Sequence, residues 1–338
     1  MSFNMKQWTI GVDVGGTEIK FGLFDDKLKE KWSIPTNVSE DGSHILPEIA
    51  ETIVEKCRAF GVDISNLAGV GMGLPGPVLD GNMVRGCVNL GWSDVEAARE
   101  LSELLAGAFG CAPEDIPVRA ANDANVAALG EMWLGGGKSC KSLIMVTLGT
   151  GVGGGIVIDG RIYNGASGCA GEIGHIICVD EKNITGNCSC GNRGCLEQIA
   201  SATGIVKYAR HYLDETDIPS VLRELLQEKG NISAKDVFDA GKAGDRAAEQ
   251  IIDTVTNYLG RALAGISAVI NPECILIGGG VSAAGEYLRE KVAGHFRTQA
   301  FSGLKNTPVR LAALGNEAGI SGAAYMMISE RSREDNIL

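Results

Sequence analysis

Three of the chain's ten cysteines fall in one short stretch, Cys188, Cys190 and Cys195 of CSCGNRGCLE, and His175 precedes them at the end of GEIGH. Three thiolates and one imidazole fill a tetrahedral zinc sphere and leave no position for water, so a zinc bound by this set is structural. A redox pair at Cys188 and Cys190, or thiols packed as small hydrophobic groups, are the alternatives. Gly191 and Gly194 favour tight loops around an ion. With one ring nitrogen on the metal, His175 carries a fixed proton on the other, pointing in a fixed direction. Glu172 and Glu197 flank the knot. Two carboxylates and an oriented imidazole are partners for hydroxyl groups, as a sugar requires. Solvated surface glutamates are the plainer reading.

A second group of residues suits phosphate and proton chemistry. In DVGGTEIK, Gly15 and Gly16 let consecutive N–H groups converge on one anion, and Thr17 adds a hydroxyl. Lys20 is a cation within reach, its direction left open by strand alternation. Asp13, just ahead of the loop, can orient a Mg²⁺ shell through water. The same device returns at LGTGVGGG with Thr150, Gly151 and Gly153, and two such hairpins can hold one polyphosphate; plain glycine turns are the alternative. In ILIGGGVS, Gly278, Gly279 and Gly280 leave no side chains, so a base or ribose can lie against the backbone, or the chain simply turns there. In NDAN, Asp123 stands at a strand tip, where a carboxylate can accept a proton from an attacking hydroxyl. It can equally cap the following helix, although Val126 stands where a capping box needs Glu or Gln. Asn122 offers the donor and acceptor that hold a vicinal diol. Gly76, between two prolines of LPGP, makes a rigid bend whose backbone can line a ligand or serve only as a turn.

These residues need elements to hold them. Residues 8–26 alternate apolar and other residues on both sides of GGT, which predicts strand, glycine turn, strand. No helix follows those glycines and no GxxxxGK is present, which excludes Rossmann and Walker A sites. VDVGGTEIKFGLFD lies over VTLGTGVGGGIVID with Asp13 on Thr147 and Asp25 on Asp159, an internal repeat that predicts two lobes, each opening on a hairpin. A helix is expected over 43–60, a strand at AGVGMGLPG, a strand and helix across PVRAANDANVAALGEMWL, helices from 199 to about 260, and a strand at CILIGGG. EAGISGAAYMMI reads as a small-residue helix suited to close packing.

Composition bounds the rest. The length favours two lobes, and 45% apolar residues support a core without disulfides. A net charge of −12 argues against a nucleic-acid surface. No run is long and apolar enough to span a membrane, and thiols without a leader point to a reducing cytoplasm.

In their order, DVGGTEIK, GLPGPV, NLGW, NDANVAALGE, LGTGVGGGIV, GEIGH, CSCGNRGCLE and ILIGGGVS resemble the ROK family of repressors, open reading frames and sugar kinases, and CLEQIASATGI is similar to its glucokinase branch in Gram-positive bacteria. The resemblance implies an α/β, actin- and hexokinase-like (ribonuclease H-like) two-lobe fold with a structural zinc site. It divides the chain into a smaller lobe of residues 1–121 with the helix 316–338, and a larger lobe of 122–315 carrying the zinc and a dimer surface. The activity implied is ATP-dependent phosphorylation of the glucose 6-hydroxyl, with ATP, Mg²⁺ and Zn²⁺ bound and a homodimer or dimer of dimers as the assembly. Asp123 then matches the catalytic base; Asn122, Asp123, Glu172, His175 and Glu197 match sugar ligands, with Gly76 and Asn89 as lesser ones. Asp13, Gly15, Gly16, Thr17 and Lys20, with Thr150, Gly151 and Gly153, match phosphate sites, and Gly278–Gly280 the adenosine site. N-acetylmannosamine, N-acetylglucosamine, fructose or allose kinases and a non-catalytic sugar sensor are the alternatives. The first hairpin starts at once, leaving no room before it for the helix-turn-helix of the family's repressors.

Overall fold

The structure, a computed structural model, describes residues 8–337. The chain begins with an antiparallel ribbon of β1 (Trp8–Val14), β2 (Glu18–Phe24) and β3 (Leu28–Pro35). Helix α1 (Ile45–Phe60) buries Ile45, Ile49, Ile53 and Cys57 along one face, the spacing of a helical stripe, and stops at Gly61 in the left-handed region. Strand β4 (Leu67–Leu74) runs parallel to β1. A small meander follows, β5 (Val78–Leu79), β6 (Met83–Arg85) and β7 (Asp94–Glu96), and leads into α2 (Ala97–Phe109). Strand β8 (Val118–Asn122) is parallel to β4 and runs directly into α3 (Asp123–Leu134).

The motif then repeats. Strands β9 (Leu143–Leu148), β10 (Val152–Ile158) and β11 (Arg161–Ile162) precede α4 (Glu197–Ala200), α5 (Ala202–Asp214), α6 (Val221–Lys229), α7 (Ala234–Lys242) and α8 (Arg246–Ile270). Strand β12 (Cys274–Gly278), helix α9 (Glu286–Gln299), strand β13 (Val309–Leu311) and helix α10 (Ala318–Ile337) complete the chain. The two five-stranded sheets have corresponding orders, β3-β2-β1-β4-β8 and β11-β10-β9-β12-β13. Asp13 pairs with Gly73 at one strand tip and Thr147 with Gly278 at the other. The repeat read from the sequence is therefore a repeat of topology.

Two compact units result, one of the described residues up to Ser139 with Gly155–Ala170 and the chain from Asn316, the other of Cys140–Gly154 and Gly171–Gly315. The first has its core between one sheet face and α1 and α2, with Ile10, Val12, Val70 and Met72 fully buried. On the other face Gly11 of β1 and Gly71 of β4 leave the backbone bare under α10: a Cβ at either would stand 1.9 Å from a carbonyl oxygen of that helix. That is the close packing expected of EAGISGAAYMMI. Helix α3 meets α10 in the same manner, Gly322 leaving no space for a Cβ beside Val126 O. This contact draws residues 122–139 into the first unit, past the boundary at 121 that the resemblance suggests. The second unit packs α4–α9 on β9 and β12, whose residues Cys274–Ile277 are fully buried. Strands β3, β5–β7, β11 and β13 and helix α2 were not expected, whereas α7 falls within the helical stretch expected over 199–260. Among the described residues no helix is long and apolar enough to cross a membrane.

Candidate active site

In the first unit, the turn from β8 into α3 fixes Asn122 and Asp123. Asn122 Oδ1 accepts the N–H groups of Ala124 (3.1 Å) and Asn125 (3.3 Å), and its Nδ2 donates to Gly76 O at 3.2 Å. The helix cap is therefore Asn122, and Asp123 is the first helical residue, its Oδ1 accepting from Ala124 N at 2.7 Å. With both lone pairs of Oδ1 committed, Asn122 has one N–H left for a ligand, so the expected hold on a vicinal diol reduces to a single donor. Gly76 meets this clamp through its carbonyl.

Asp13 sits at the tip of β1, partly buried, with Gly319 of α10 against it: a Cβ there would be 2.5 Å from the Asp13 Cγ. Burial pushes the Asp13 carboxyl up to about 6, with Lys20 opposing and Asp123 adding to the rise. Lys20 is the direct cross-strand partner of Asp13, so both side chains leave the same face of the sheet. In the loop, Gly15 N–H is spent on Glu18 O (3.0 Å) and Gly15 O accepts Thr36 Oγ1 (2.6 Å). Of the two N–H groups expected to converge on an anion, that of Gly15 is therefore consumed by the turn, while Gly16 and Thr17 are exposed. Asn89, exposed in a short 3₁₀ turn, lies behind Gly16.

In the second unit, the β9–β10 loop is held by other means. Gly149 N–H bonds Gly151 O (2.9 Å), Gly149 O accepts Ala202 N–H (2.8 Å), and Val152 N–H donates to Glu197 Oε2 (2.9 Å). Thr150 and Gly151 keep their N–H groups at the loop tip, whereas Gly153 lies inside β10 and not in the loop. Thr150, Ala202, Phe238, Gly280, Val281 and Ala284 line a cavity of about 380 Å³, with Lys235, Asp239 and Lys242 also on its wall. Of the GGG triplet only Gly280 opens into it. Gly278 packs on Met145, and Gly279 packs on the Leu148 backbone, where a Cβ would come within 2.6 Å. Helix α7 is thus the part of this site that motif reading missed. Its signal was Ser233 three residues before Asp236, a capping box that the structure forms, Ser233 N–H donating to Asp236 Oδ2 at 2.8 Å.

The cysteine knot closes as a cluster. His175 Nδ1 lies 3.6 Å from Cys188 Sγ, Cys190 Sγ lies 3.6 Å from Cys195 Sγ, and the four ligand atoms are all within 4.8 Å of one another. A tetrahedron with zinc–sulfur bonds of about 2.3 Å has edges near ~3.8 Å, so these four residues fit a zinc ion. The Asn192 N–H holds the Cys190 thiol below its usual range, while burial pushes Cys195 up to about 12. With Nδ1 turned to the thiols, His175 presents Nε2 to Glu172 Oε2 at 3.9 Å. Glu197 Oε1 lies 3.9 Å from Cys188 Sγ. Glu172, His175 and Glu197 are thus grouped about one knot.

The ROK family model matches residues 9–330. A glucokinase of Halalkalibacterium halodurans is 40% identical over 325 residues, covering 95% of each chain. The crystal structure of a ROK hexokinase from Thermus thermophilus superposes with a TM-score of 0.75 at 30% identity, over 96% of this chain and 99% of that one. A ROK family glucokinase from Streptomyces griseus, in complex with glucose and AMPPNP, superposes with a TM-score of 0.68 at 31% identity, over 94% and 98%. These neighbours share the two-lobe hexokinase-like α/β architecture, and with the match running over nearly its whole length, the chain belongs to the ROK family.

Proposed function

We propose that the protein is a glucokinase, transferring the γ-phosphoryl group of ATP to the 6-hydroxyl of glucose. The observation that carries this reading is the Asp123 carboxylate, fixed at the tip of β8 by the Asn122 clamp in a chain 40% identical to a glucokinase. Phosphoryl transfer passes through a loose transition state, so the protein's task is positioning and charge stabilisation, with a carboxylate to orient the hydroxyl and take its proton. Asp123 has that role. The N–H groups of Gly16, Thr17, Thr150 and Gly151 are directed to phosphate oxygens, and the cavity under α7 receives the adenosine. Mg²⁺, which Asp13 would hold through water, neutralises phosphate charge when bound. Glu172, His175 and Glu197 accept or donate to sugar hydroxyls, with Asn89 and the remaining Asn122 N–H as further contacts. Zinc held by His175, Cys188, Cys190 and Cys195 has no open position and supplies no step; it fixes the direction of His175.

The test is ADP release with MgATP across glucose, mannose, fructose, allose, N-acetylglucosamine and N-acetylmannosamine. Glucose is expected to give the highest kcat/KM. A higher value for an N-acetylhexosamine would reassign the substrate, and no sugar-dependent ADP release with any of them would remove the kinase reading.

A further inference from the structure

We propose that Glu197 binds twice: besides the sugar, it straps the β9–β10 glycine loop, so that sugar and nucleotide binding are coupled through one carboxylate. This rests on the reading of Glu197 as a sugar ligand. The geometry lies wholly within the second unit. Glu197 Oε2 accepts the Val152 N–H at 2.9 Å, and Gly151 is bare because a Cβ there would stand 2.4 Å from that same oxygen. The other end of the loop is tied to the same segment, Gly149 O accepting the N–H of Ala202 at 2.8 Å. Between the two ties, Ser201 Oγ donates to Glu197 O at 2.7 Å and accepts from Gly204 N at 2.9 Å, which locks the segment. Residues 149–152 are therefore clamped at both ends by residues 197–202, and Thr150, which lines the α7 cavity, lies between the clamps. A carboxylate bonded to an N–H is a strong tie, and it is lost if the carboxylate swings away. A sugar hydroxyl that holds Glu197 in place thus also holds the loop, and by linkage a phosphate on the loop favours the sugar by the same factor.

Calorimetry with the non-hydrolysable AMPPNP and Mg²⁺ on sugar-free enzyme tests the strap. Glu197→Ala is expected to weaken nucleotide binding about tenfold with no sugar present, the loss of one charge-assisted hydrogen bond. Glu197→Gln, whose amide oxygen can still accept the Val152 N–H, is expected to bind nucleotide within about twofold of the parent. Glu172→Ala, whose carboxylate faces His175 Nε2, is expected to weaken glucose and leave AMPPNP unchanged. Unchanged AMPPNP affinity in Glu197→Ala, with glucose affinity reduced, overturns the strap and leaves the sugar reading intact. Unchanged glucose affinity in the same variant removes the sugar reading itself. Should Glu197→Ala lose its metal, Gly151→Ala reaches the same oxygen from the loop side and leaves every metal ligand in place. It is expected to weaken AMPPNP by a similar factor, and full affinity there also overturns the proposal.

Discussion

The two glycine hairpins share a backbone and differ in what holds it. The β1–β2 loop is held by its near neighbours in sequence, Gly15 N–H donating to Glu18 O within the hairpin and Thr36, just past β3, donating its Oγ1 to Gly15 O. The β9–β10 loop is closed from outside, by the Glu197 carboxylate and the Ala202 N–H. The strand tips differ as well: Asp13 stands where the repeat has Thr147. A repeated strand order thus fixed where loops emerge, and side chains then divided the chemistry. The first unit has the charged groups Asp13, Lys20 and Asp123; the second has the cavity under α7 and the cysteine–histidine cluster with its glutamates.

That division is tested hardest by removing the Asp123 carboxylate. Asp123→Asn should lower kcat by about 10²–10⁴ while AMPPNP affinity stays at the parent value. A parallel loss of nucleotide affinity would mean that the chemistry is not divided between the units as described. On the other side, stripping zinc, or replacing Cys190 by Ser, should act on the second unit. Metal analysis confirms the loss, and glucose affinity is expected to fall about tenfold or more as His175 and Glu197 lose their fixed directions. Glucose affinity that survives verified metal loss would separate the knot from the sugar.

Asp13 offers a finer test, because burial has a cost that shows in stability. Its folded-state carboxyl titrates near about 6, above the ordinary aspartate value of 3.8, with Lys20 and Asp123 as the facing charges. A raised carboxyl binds its proton more tightly in the folded chain, so the stability it contributes is fully present below about 3.8 and is lost as pH rises through about 6. At pH 7.5, without ligands, Asp13→Asn should therefore stabilise the protein by about 1–2 kcal/mol, discounted for partial exposure, and the gain should shrink as pH falls below about 6. Thermal unfolding at several pH values measures it; no pH-dependent gain would mean that Asp13 is not under strain. Thr147, at the corresponding position, should show no such dependence.

Much of this was legible because it rests on local pattern. The His175–Cys195 spacing, the glycine hairpins, the β8–α3 turn and the small-residue helix α10 each follow from residue type and order. What could not be read is which partner each polar group takes. Gly15 looks like Gly16 in sequence, yet its N–H is consumed by the turn. Asn122 looks like a diol ligand, yet its oxygen caps α3. Gly153 reads as loop and lies in a strand because Glu197, far along the chain, ties the loop off at Val152. Helix α7 falls within the helical stretch expected over 199–260, and Ala234, Val237, Phe238 and Gly241 give it a clear buried face, but no motif marks its place on the cavity wall.

The GGG triplet gives the smallest and sharpest prediction. Its three glycines look alike but face different surroundings, so a single methyl should separate packing from ligand access. Gly279 has φ +81° and lies on the Leu148 backbone, so Gly279→Ala is strained twice over and should lower Tm by several degrees. Gly280 has nothing within 4 Å of an added Cβ and lines the cavity, so Gly280→Ala should leave the stability within about 0.5 kcal/mol of the parent. The methyl then stands where adenosine is placed, and a severalfold rise in the KM for ATP with little change in the KM for glucose is expected. If both KM values stay at the parent level, the adenosine lies elsewhere on the second unit and the cavity under α7 is not its site.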